Sequence, residues 1–484
     1  LEKERPFNLG LTFADVLLEP GYSEVIPSET DIKSKFSRNI GLLLPIVSSA
    51  MDTVTEEEMA IAVALQGGLG IIHKNLSIEK QAAQVRKVKR FESVLIPDPI
   101  TVFPSVTIKE VKEIMSSHNI SGVPVVDTEG KLRGIITKSD LIFEDDINKK
   151  IQQVMTPRKK LVTGKKGVSI EEVKSIFRKH KVEKLPLVDK DDRLVGLITL
   201  RDILKRKEFP RANIDEEGRL YCGAAVGVSD DTEERAKELL SAGVDCLVVD
   251  TAHGYTKKVF DITKKLRSFC DKDLVVGNIV TGEAAKDLMK MDVDAVKVGV
   301  GPGSICTTRV ISGIGIPQLT AIQNVAKVVK GKIPVVADGG VTFSGDITKA
   351  LAGGADSVMI GSLLAGTDEA PGESILLEGR RFKVYRGMGS IDAMEEGSRD
   401  RYFQTGKLVP EGVVSRVPHK GPVSEVLFQL EGGLRAGMGY VGARNLQELR
   451  AKAKFVQVTN AGLTESHPHD VKIIKDPPNY EVFR

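Results

Sequence analysis

PVVADGGVTFSGDITKALAGGADSVMI, residues 334–360, holds a strand, a turn, a helix and a second strand in one stretch. Pro334-Val335-Val336-Ala337 is a short apolar run of strand length, and Asp338-Gly339-Gly340 breaks it. Residues 345–352 repeat apolar side chains at helical spacing, and Ser357-Val358-Met359-Ile360 is again a strand. The same short runs recur at Pro45-Ile46-Val47, Leu69-Gly70-Ile71-Ile72, Ala224-Ala225-Val226 and Cys246-Leu247-Val248-Val249. Leu274-Val275-Val276-Gly277 and Ala295-Val296-Lys297-Val298 complete the set, with helix-period segments at 232–242, 282–291 and 319–329. Eight strands with helices between them predict an α/β fold of the (β/α)8 TIM-barrel type. A doubly wound open sheet is the rival architecture, but it gives no reason for a count of eight.

Composition bounds the rest. With 28% charged and 41% apolar residues the chain reads as soluble and globular, and 484 residues predict two to four domains at roughly 100–200 residues each. Lys and Arg number 69 against 66 Asp and Glu, so the +3 balance argues against a nucleic-acid or membrane-surface role. No apolar run reaches the roughly 20 residues of a membrane span, and Leu1-Glu2-Lys3-Glu4-Arg5 lacks the pattern of a signal peptide. The four cysteines, Cys222, Cys246, Cys270 and Cys306, form no C-x-x-C pair. That argues against a disulfide framework or a structural zinc and for a cytoplasmic setting. Glycine is in surplus, 46 of 484 against the usual 7% or so, so its clustering points to what the protein handles.

The extra length is a duplication. TIKEVKEIMSSHNISGVPVVDTEGKLRGIITKSDL, from Thr107, and SIEEVKSIFRKHKVEKLPLVDKDDRLVGLITLRDI, from Ser169, agree at 14 of 35 positions without a gap. Each copy predicts a helix (Ile108, Val111, Ile114; Ile170, Val173, Ile176), a strand, a turn, a second strand and another helix start. With its G-h-I-T-x-x-D ending the unit resembles the CBS repeat, two of which form a Bateman module. The expected division is a first barrel part at 1–91, a tandem CBS module at 92–206 (repeats about 94–150 and 155–206), and a second barrel part at 207–484. In the CBS family the cleft between repeats often binds purine nucleotides, and the resemblance points to Thr137, Asp140, Thr199 and Asp202 as ribose contacts. The plainer alternative is that both Asp residues cap the helix that follows.

Barrels place their chemistry at the C-terminal ends of the strands. Those ends carry Ser48 to Asp52, His73-Lys74, Asp250 to Gly254, Asn278, residues 299–309, Asp338-Gly339-Gly340 and Gly361-Ser362, and the glycine surplus falls among them. The loops after the last two strands are where barrels often cradle a phosphate on backbone N–H groups, which glycine lets the anion approach. Asp338 is badly placed to meet a phosphate and well placed to accept from ribose hydroxyls, so a ribose phosphate is the indicated ligand. The alternative is that Gly339-Gly340 only turns the chain. In the sixth loop, Cys306 sits on a glycine-rich turn with polar residues after it, a candidate covalent nucleophile. Cys222, Cys246 and Cys270 read as small buried hydrophobes.

GPGSICTTR from Gly301, VVADGG from Val335, MIGSLLAGT from Met359 and YRGMGS from Tyr385 resemble the inosine-5'-monophosphate dehydrogenase family, and the likeness runs from end to end. That family oxidises IMP to XMP with NAD+. The resemblance implies that Cys306 adds to C2 of the purine, giving a thioimidate that is then hydrolysed. It implies IMP contacts at Ser304, Asp338, Gly339, Gly340, Gly361, Ser362, Tyr385, Gly387, Met388, Gly389 and Glu411. NAD contacts are implied at Asp250, Asn278, Gly299 and Gly301. Arg401 and Tyr402 match a mobile flap's Arg-Tyr pair, proposed in the family as the base for hydrolysis, with Thr308 and Glu411 a second proton route. A potassium ion is implied on carbonyls of Gly301, Gly303 and Cys306, completed by Glu465, Ser466 and His467 of a neighbouring subunit. The family is tetrameric, and the insert in some members pairs tetramers into octamers.

Two alternatives stand beside this expectation. GMP reductase shares the barrel and the cysteine loop and uses NADPH, but typically lacks the CBS insert and the Arg-Tyr flap. A nucleotide sensor would use the CBS module and keep the barrel as a relic, against which stand the intact Cys306, Arg401, Tyr402, Asp250 and Asp338.

Overall fold

The structure is a computed structural model that describes residues 8–91, 99–118, 120–165, 167–200, 203, 208–404, 406–475 and 477–480. Eight parallel strands close into a barrel: β1 (Ile46–Ser48), β2 (Leu69–Ile72), β3 (Cys222–Val226), β4 (Cys246–Asp250), β5 (Asp273–Ile279), β6 (Ala295–Val298), β7 (Val335–Asp338) and β8 (Ser357–Ile360). Each pairs with its neighbours in sequence, β2 pairs β3, and β8 returns to β1 with Val358 opposite Ile46. The eight expected strands are all present, with bounds moved by at most two residues. Their apolar runs have a physical cause: a barrel strand meets packed side chains inside and helices outside, so nearly every position is buried.

The helices that accompany the barrel strands include α1 (Glu57–Leu65), α2 (Ile78–Arg90), α3 (Thr232–Ser241), α4 (Lys257–Arg267), α5 (Gly282–Met289), α6 (Gln318–Val329), α7 (Ser344–Ala352), the short α8 (Ser362–Ala365) and α9 (Val423–Val441). Ser77, Thr256 and Thr281 cap α2, α4 and α5 by accepting from the third backbone N–H of each helix. At Gly70 a Cβ would overlap Ala60 of α1, so the missing side chain is what lets that helix lie against β2.

A hairpin of Ser34–Lys35 and Gly41–Leu42 precedes β1 and plugs the N-terminal end of the barrel. Arg38 donates its backbone N–H to Asp294 just before β6, and Asn39 bonds the Asp273 carboxylate at the start of β5. Phe36, Ile40 and Leu42 of this plug join Val47, Leu69, Ile71, Val248, Val275, Val336 and Met359 in one buried cluster. The chemistry is thereby left to the opposite end.

Residues 92–210 with 215–219 form a second compact unit. Its first half contains a helix (Ile108–Ser117) and an antiparallel pair (Gly122–Val126, Leu132–Thr137), and its second half repeats them (Ile170–His180, Lys184–Val188, Leu194–Thr199). The turns between paired strands are alike. Asp127 accepts from the N–H groups of Glu129 and Lys131, as Asp189 does from those of Asp191 and Arg193. Gly130 takes φ +76°, and Asp192, 62 positions on, takes +62°, a conformation Asp tolerates better than most residues. The two turns exchange bonds, Leu132 N–H to the Asp192 carbonyl and Leu194 N–H to the Gly130 carbonyl, each 3.0 Å. Asp140 accepts from the Thr137 N–H and hydroxyl at 2.8 and 2.7 Å, so it caps the helix after its strand. Asp202 lies outside the described residues.

Replacing Phe36 by Ala should cost about 3–5 kcal/mol, because the plug cannot collapse onto the space left in a closed barrel. Equilibrium denaturation measures this, and a loss under about 1 kcal/mol would show that the plug is not part of the core.

Candidate active site

The loops at the C-terminal ends of the strands surround a cleft that is open to solvent. Cys306, Thr308, Asp338, Gly339, Tyr385, Gly387, Met388, Gly389, Arg401, Tyr402 and Glu411 all line it. So do Asp250, Asn278, Gly299, Gly301 and Gly303. Ser304, Gly340, Gly361 and Ser362 lie beside it. Ser304 is near enough to the Tyr385 hydroxyl to favour its ionised form, a Cβ on Gly361 would stand 2.7 Å from that hydroxyl, Gly340 abuts Pro302, and Ser362 opens α8.

Backbone pairing holds the cysteine loop in place. Thr307 N–H donates to the Glu411 carbonyl at 2.9 Å and Val413 N–H to the Ile305 carbonyl at 3.1 Å. On its other side this strip bonds residues 387–389, Gly387 N–H to the Val413 carbonyl and Glu411 N–H to the Gly389 carbonyl. Cys306 is therefore the middle of a small ribbon, and its Sγ lies 3.2 Å from the Thr308 hydroxyl. It is half-buried, whereas Cys222, Cys246 and Cys270 are buried and their thiols are pushed up by burial. Gly339 and Gly340 both adopt positive φ, +89° and +84°, which few L side chains accept, and a Cβ on Gly339 would stand 3.0 Å from Pro302 of the cysteine loop.

The structure adds Lys297, which no motif announced. It sits on β6 with 1% exposure and points into the barrel mouth. Its ammonium donates to Asp250 Oδ1 at 2.8 Å, to Asp338 Oδ2 at 2.5 Å and to the Asn278 side-chain oxygen. Asn278 in turn donates to Asp338 Oδ2 at 2.9 Å and to the Gly299 carbonyl at 2.6 Å. Both bonds to Asp338 thus fall on one oxygen. The only sequence signal was a lone charge within an otherwise apolar strand.

Arg401 reaches Asp250 on the other carboxylate oxygen, and its own carbonyl accepts from Ala252 N–H at 2.9 Å. Tyr402 packs against Gly389, where a Cβ would stand 2.8 Å from its ring, and burial pushes its hydroxyl up while Arg401 opposes. Burial raises the Tyr385 hydroxyl as well. Glu465, Ser466 and His467 do not line the cleft. Within one chain Ser466 bonds the Gly462 carbonyl, and His467 meets the Tyr480 hydroxyl and the Phe343 ring.

Fold and cleft together define a TIM-barrel protein whose loops at the C-terminal ends of the strands converge on a cleft lined by one partly exposed thiol, three carboxylates and two tyrosines. The model for the IMP dehydrogenase / GMP reductase domain matches residues 10–469, and the chain belongs to that family. It is 54% identical to an inosine-5'-monophosphate dehydrogenase of Aquifex aeolicus over the whole of both chains. It is 53% identical to one of Bacillus subtilis, over 98% of each. Among solved structures, a Cys-to-Ala variant of GMP reductase from Trypanosoma brucei in complex with guanosine 5'-monophosphate matches with TM-score 0.89 and 41% identity, over 96% of this chain and 99% of that one. A match over 96% of the chain cannot omit the second unit, about a quarter of its length, so this reductase is an exception to the expectation that GMP reductases typically lack the insert.

Two outcomes test the site. Lys297→Met should destabilise the chain by about 3–5 kcal/mol in a denaturant melt, since it removes the buried cation between two carboxylates and leaves them Arg401 and Asn278 as partners. A melt like the parent's would mean that water or a mobile side chain replaces the ammonium. With limiting iodoacetamide at pH 8, peptide mapping should find Cys306 alkylated and Cys222 and Cys246 spared. Equal labelling of all three would contradict the burial described above.

Proposed function

We propose that this chain is an NAD-dependent dehydrogenase that converts IMP to XMP in guanine nucleotide synthesis. Identity of 52–54% over essentially the full length to proteins named inosine-5'-monophosphate dehydrogenase carries this reading. The reductase relatives match at a lower identity of 38–41%. In the proposed reaction Cys306 as thiolate forms a bond to C2 of the hypoxanthine ring while the C2–H bond breaks and its electron pair leaves as hydride. NAD+, when bound, supplies the hydride acceptor. Water then adds to C2 of the thioimidate, the C–S bond breaks, the thiolate is recovered and one proton is released.

The remaining roles are assigned on position. Asp338, with one carboxylate oxygen free of Lys297 and Asn278, suits the ribose diol of IMP. Ser304, Gly340, Gly361, Ser362 and Tyr385 would take its phosphate. Gly387, Met388, Gly389 and Glu411 would take the purine. Asp250, Asn278, Gly299 and Gly301 would form the NAD side. Arg401 occupies the Asp250 carboxylate in the conformation described, so a dinucleotide ribose and Arg401 are rival partners of one group. Hydride transfer and hydrolysis are thereby separated in time, and NADH leaves before Arg401 and Tyr402 close. Either that pair or Thr308 with Glu411 would take the water's proton. Thr308 stands 3.2 Å from the Cys306 sulfur.

A potassium ion on the carbonyls of Gly301, Gly303 and Cys306 would steady the turn that carries the thiol. Hard carbonyl donors suit such a cation. The Gly303 carbonyl already accepts from Cys306 N–H, so the cation would share it. Glu465, Ser466 and His467 would come from a neighbouring copy in a homotetramer, which the second unit could pair into an octamer. Residues 92–206 are the proposed CBS module, with a purine nucleotide as regulator at Thr137, Asp140, Thr199 and Asp202. A cytoplasmic setting fits four free cysteines. Among the described residues no helix is long and apolar enough to cross a membrane.

IMP with NAD+ should raise absorbance in the reduced-nicotinamide band, and GMP with NADPH should not lower it. Cys306→Ala should abolish the signal while IMP still binds in a calorimetric titration. Turnover by that variant would sink covalent catalysis, and NADPH consumption with GMP would favour the reductase. Exchanging potassium for lithium should lower the dehydrogenase rate, and an unchanged rate would remove the cation from the scheme.

A further inference from the structure

The turn Arg399–Tyr402 is fastened to more than Asp250. Asp400, the residue before Arg401, receives the Lys74 ammonium on one carboxylate oxygen and the Val228 backbone N–H on the other at 2.9 Å. Lys74 follows β2 by two residues and also donates to the Gly397 carbonyl at 3.0 Å. Both side chains are out of water, Lys74 at 9% and Asp400 at 11% exposure. Burial pushes the Lys74 amine down and Asp400 opposes it, so the charge there relies on the carboxylate. Beneath them lies Gly227, where a Cβ would overlap the Asp400 oxygen and stand 2.9 Å from the Lys74 nitrogen. A side chain at 227 would therefore collide with Asp400 in the docked position.

Asp400 and Arg401 are consecutive in one tight turn whose backbone is tied down through the Arg401 carbonyl to Ala252 N–H. When that turn lifts to give Asp250 to a dinucleotide ribose, Asp400 goes with it. The Lys74–Asp400 bond and the Val228 bond then exist in the closed state alone, so their free energy bears on that equilibrium only. We propose that Lys74 and Asp400, seated over Gly227, are the latch that sets how much of the covalent intermediate is in the closed, hydrolysing state. They are positioning residues, acting through Arg401 and Tyr402. The inference rests on the dehydrogenase reading and adds to it a device for the second half-reaction.

The test is stopped-flow NADH formation with IMP and NAD+ followed into the steady state, on the full chain. Lys74→Met and Asp400→Asn should keep the rate of the first-turnover NADH burst and lower steady-state turnover by more than about fivefold, the population shift expected when a buried pair is lost. The covalently held purine should accumulate, visible as added mass on Cys306. Gly227→Ala should do the same with both charged partners intact, and Lys74→Met/Gly227→Ala should be no slower than the worse single variant. Lys74→Arg should recover part of the loss. A fall of less than about fivefold in Lys74→Met, Asp400→Asn and Gly227→Ala alike, or a burst that slows in proportion to turnover, overturns the latch. Failure of the parent itself to make NADH from IMP would instead overturn the dehydrogenase reading.

Discussion

The Lys297 ammonium lies inside the barrel mouth between Asp250, Asn278 and Asp338, and the rest of the site is arranged around it. A single buried charge costs several kcal/mol, and so do two carboxylates set close together. Three acceptors on β4, β5 and β7 offset the cost on both sides, because the cation is pinned where the anions converge. Without it, Asp250 and Asp338 would repel each other and any phosphate brought near. With it, each carboxylate keeps one oxygen for other partners, and the proposed ribose contacts of substrate and dinucleotide become two ends of one charge network.

Around that network the chain uses backbone pairing to limit motion of the thiol. The cysteine loop is bonded to residues 411–413, and these are bonded to residues 387–389. The turn bearing Arg401 and Tyr402 lines the same cleft, held by side-chain ions and by its own carbonyl. The difference is physical. A ribbon opens only if several backbone bonds break together, whereas an ion pair at a cleft edge can rehydrate and re-form. That contrast suits the proposed two-stage reaction, in which Cys306 stays in place and the cover exchanges.

The second unit shows duplication doing structural work. An Asp that bonds two N–H groups ahead of it recurs 62 residues later, and the positive-φ position after it passes from Gly130 to Asp192. Because the two turns are alike, each can offer the other the same donor and acceptor, and they pair as equals. Asp140 caps its helix, so its carboxylate is already engaged in the first repeat.

How much of this was legible in residues alone follows from the range of each interaction. Burial on both faces leaves an uninterrupted apolar run, so eight runs such as Val335–Asp338 and Ser357–Ile360 could be counted and the barrel deduced. The glycine turns at Gly339-Gly340 and the polar flank of Cys306 were local too, and they marked the right end of the barrel. Lys297 looked like one charge in one strand. Its meaning depends on Asp250, 47 residues before it, and Asp338, 41 after, which only closure of the barrel brings to one point. Lys74 and Asp400 are 326 residues apart and meet because the turn Arg399–Tyr402 folds back onto the mouth of the closed barrel. Periodicity and turn chemistry act over a few residues and were written in the sequence by itself. The pairing of charges acts through space, and it was decided when the eight strands closed.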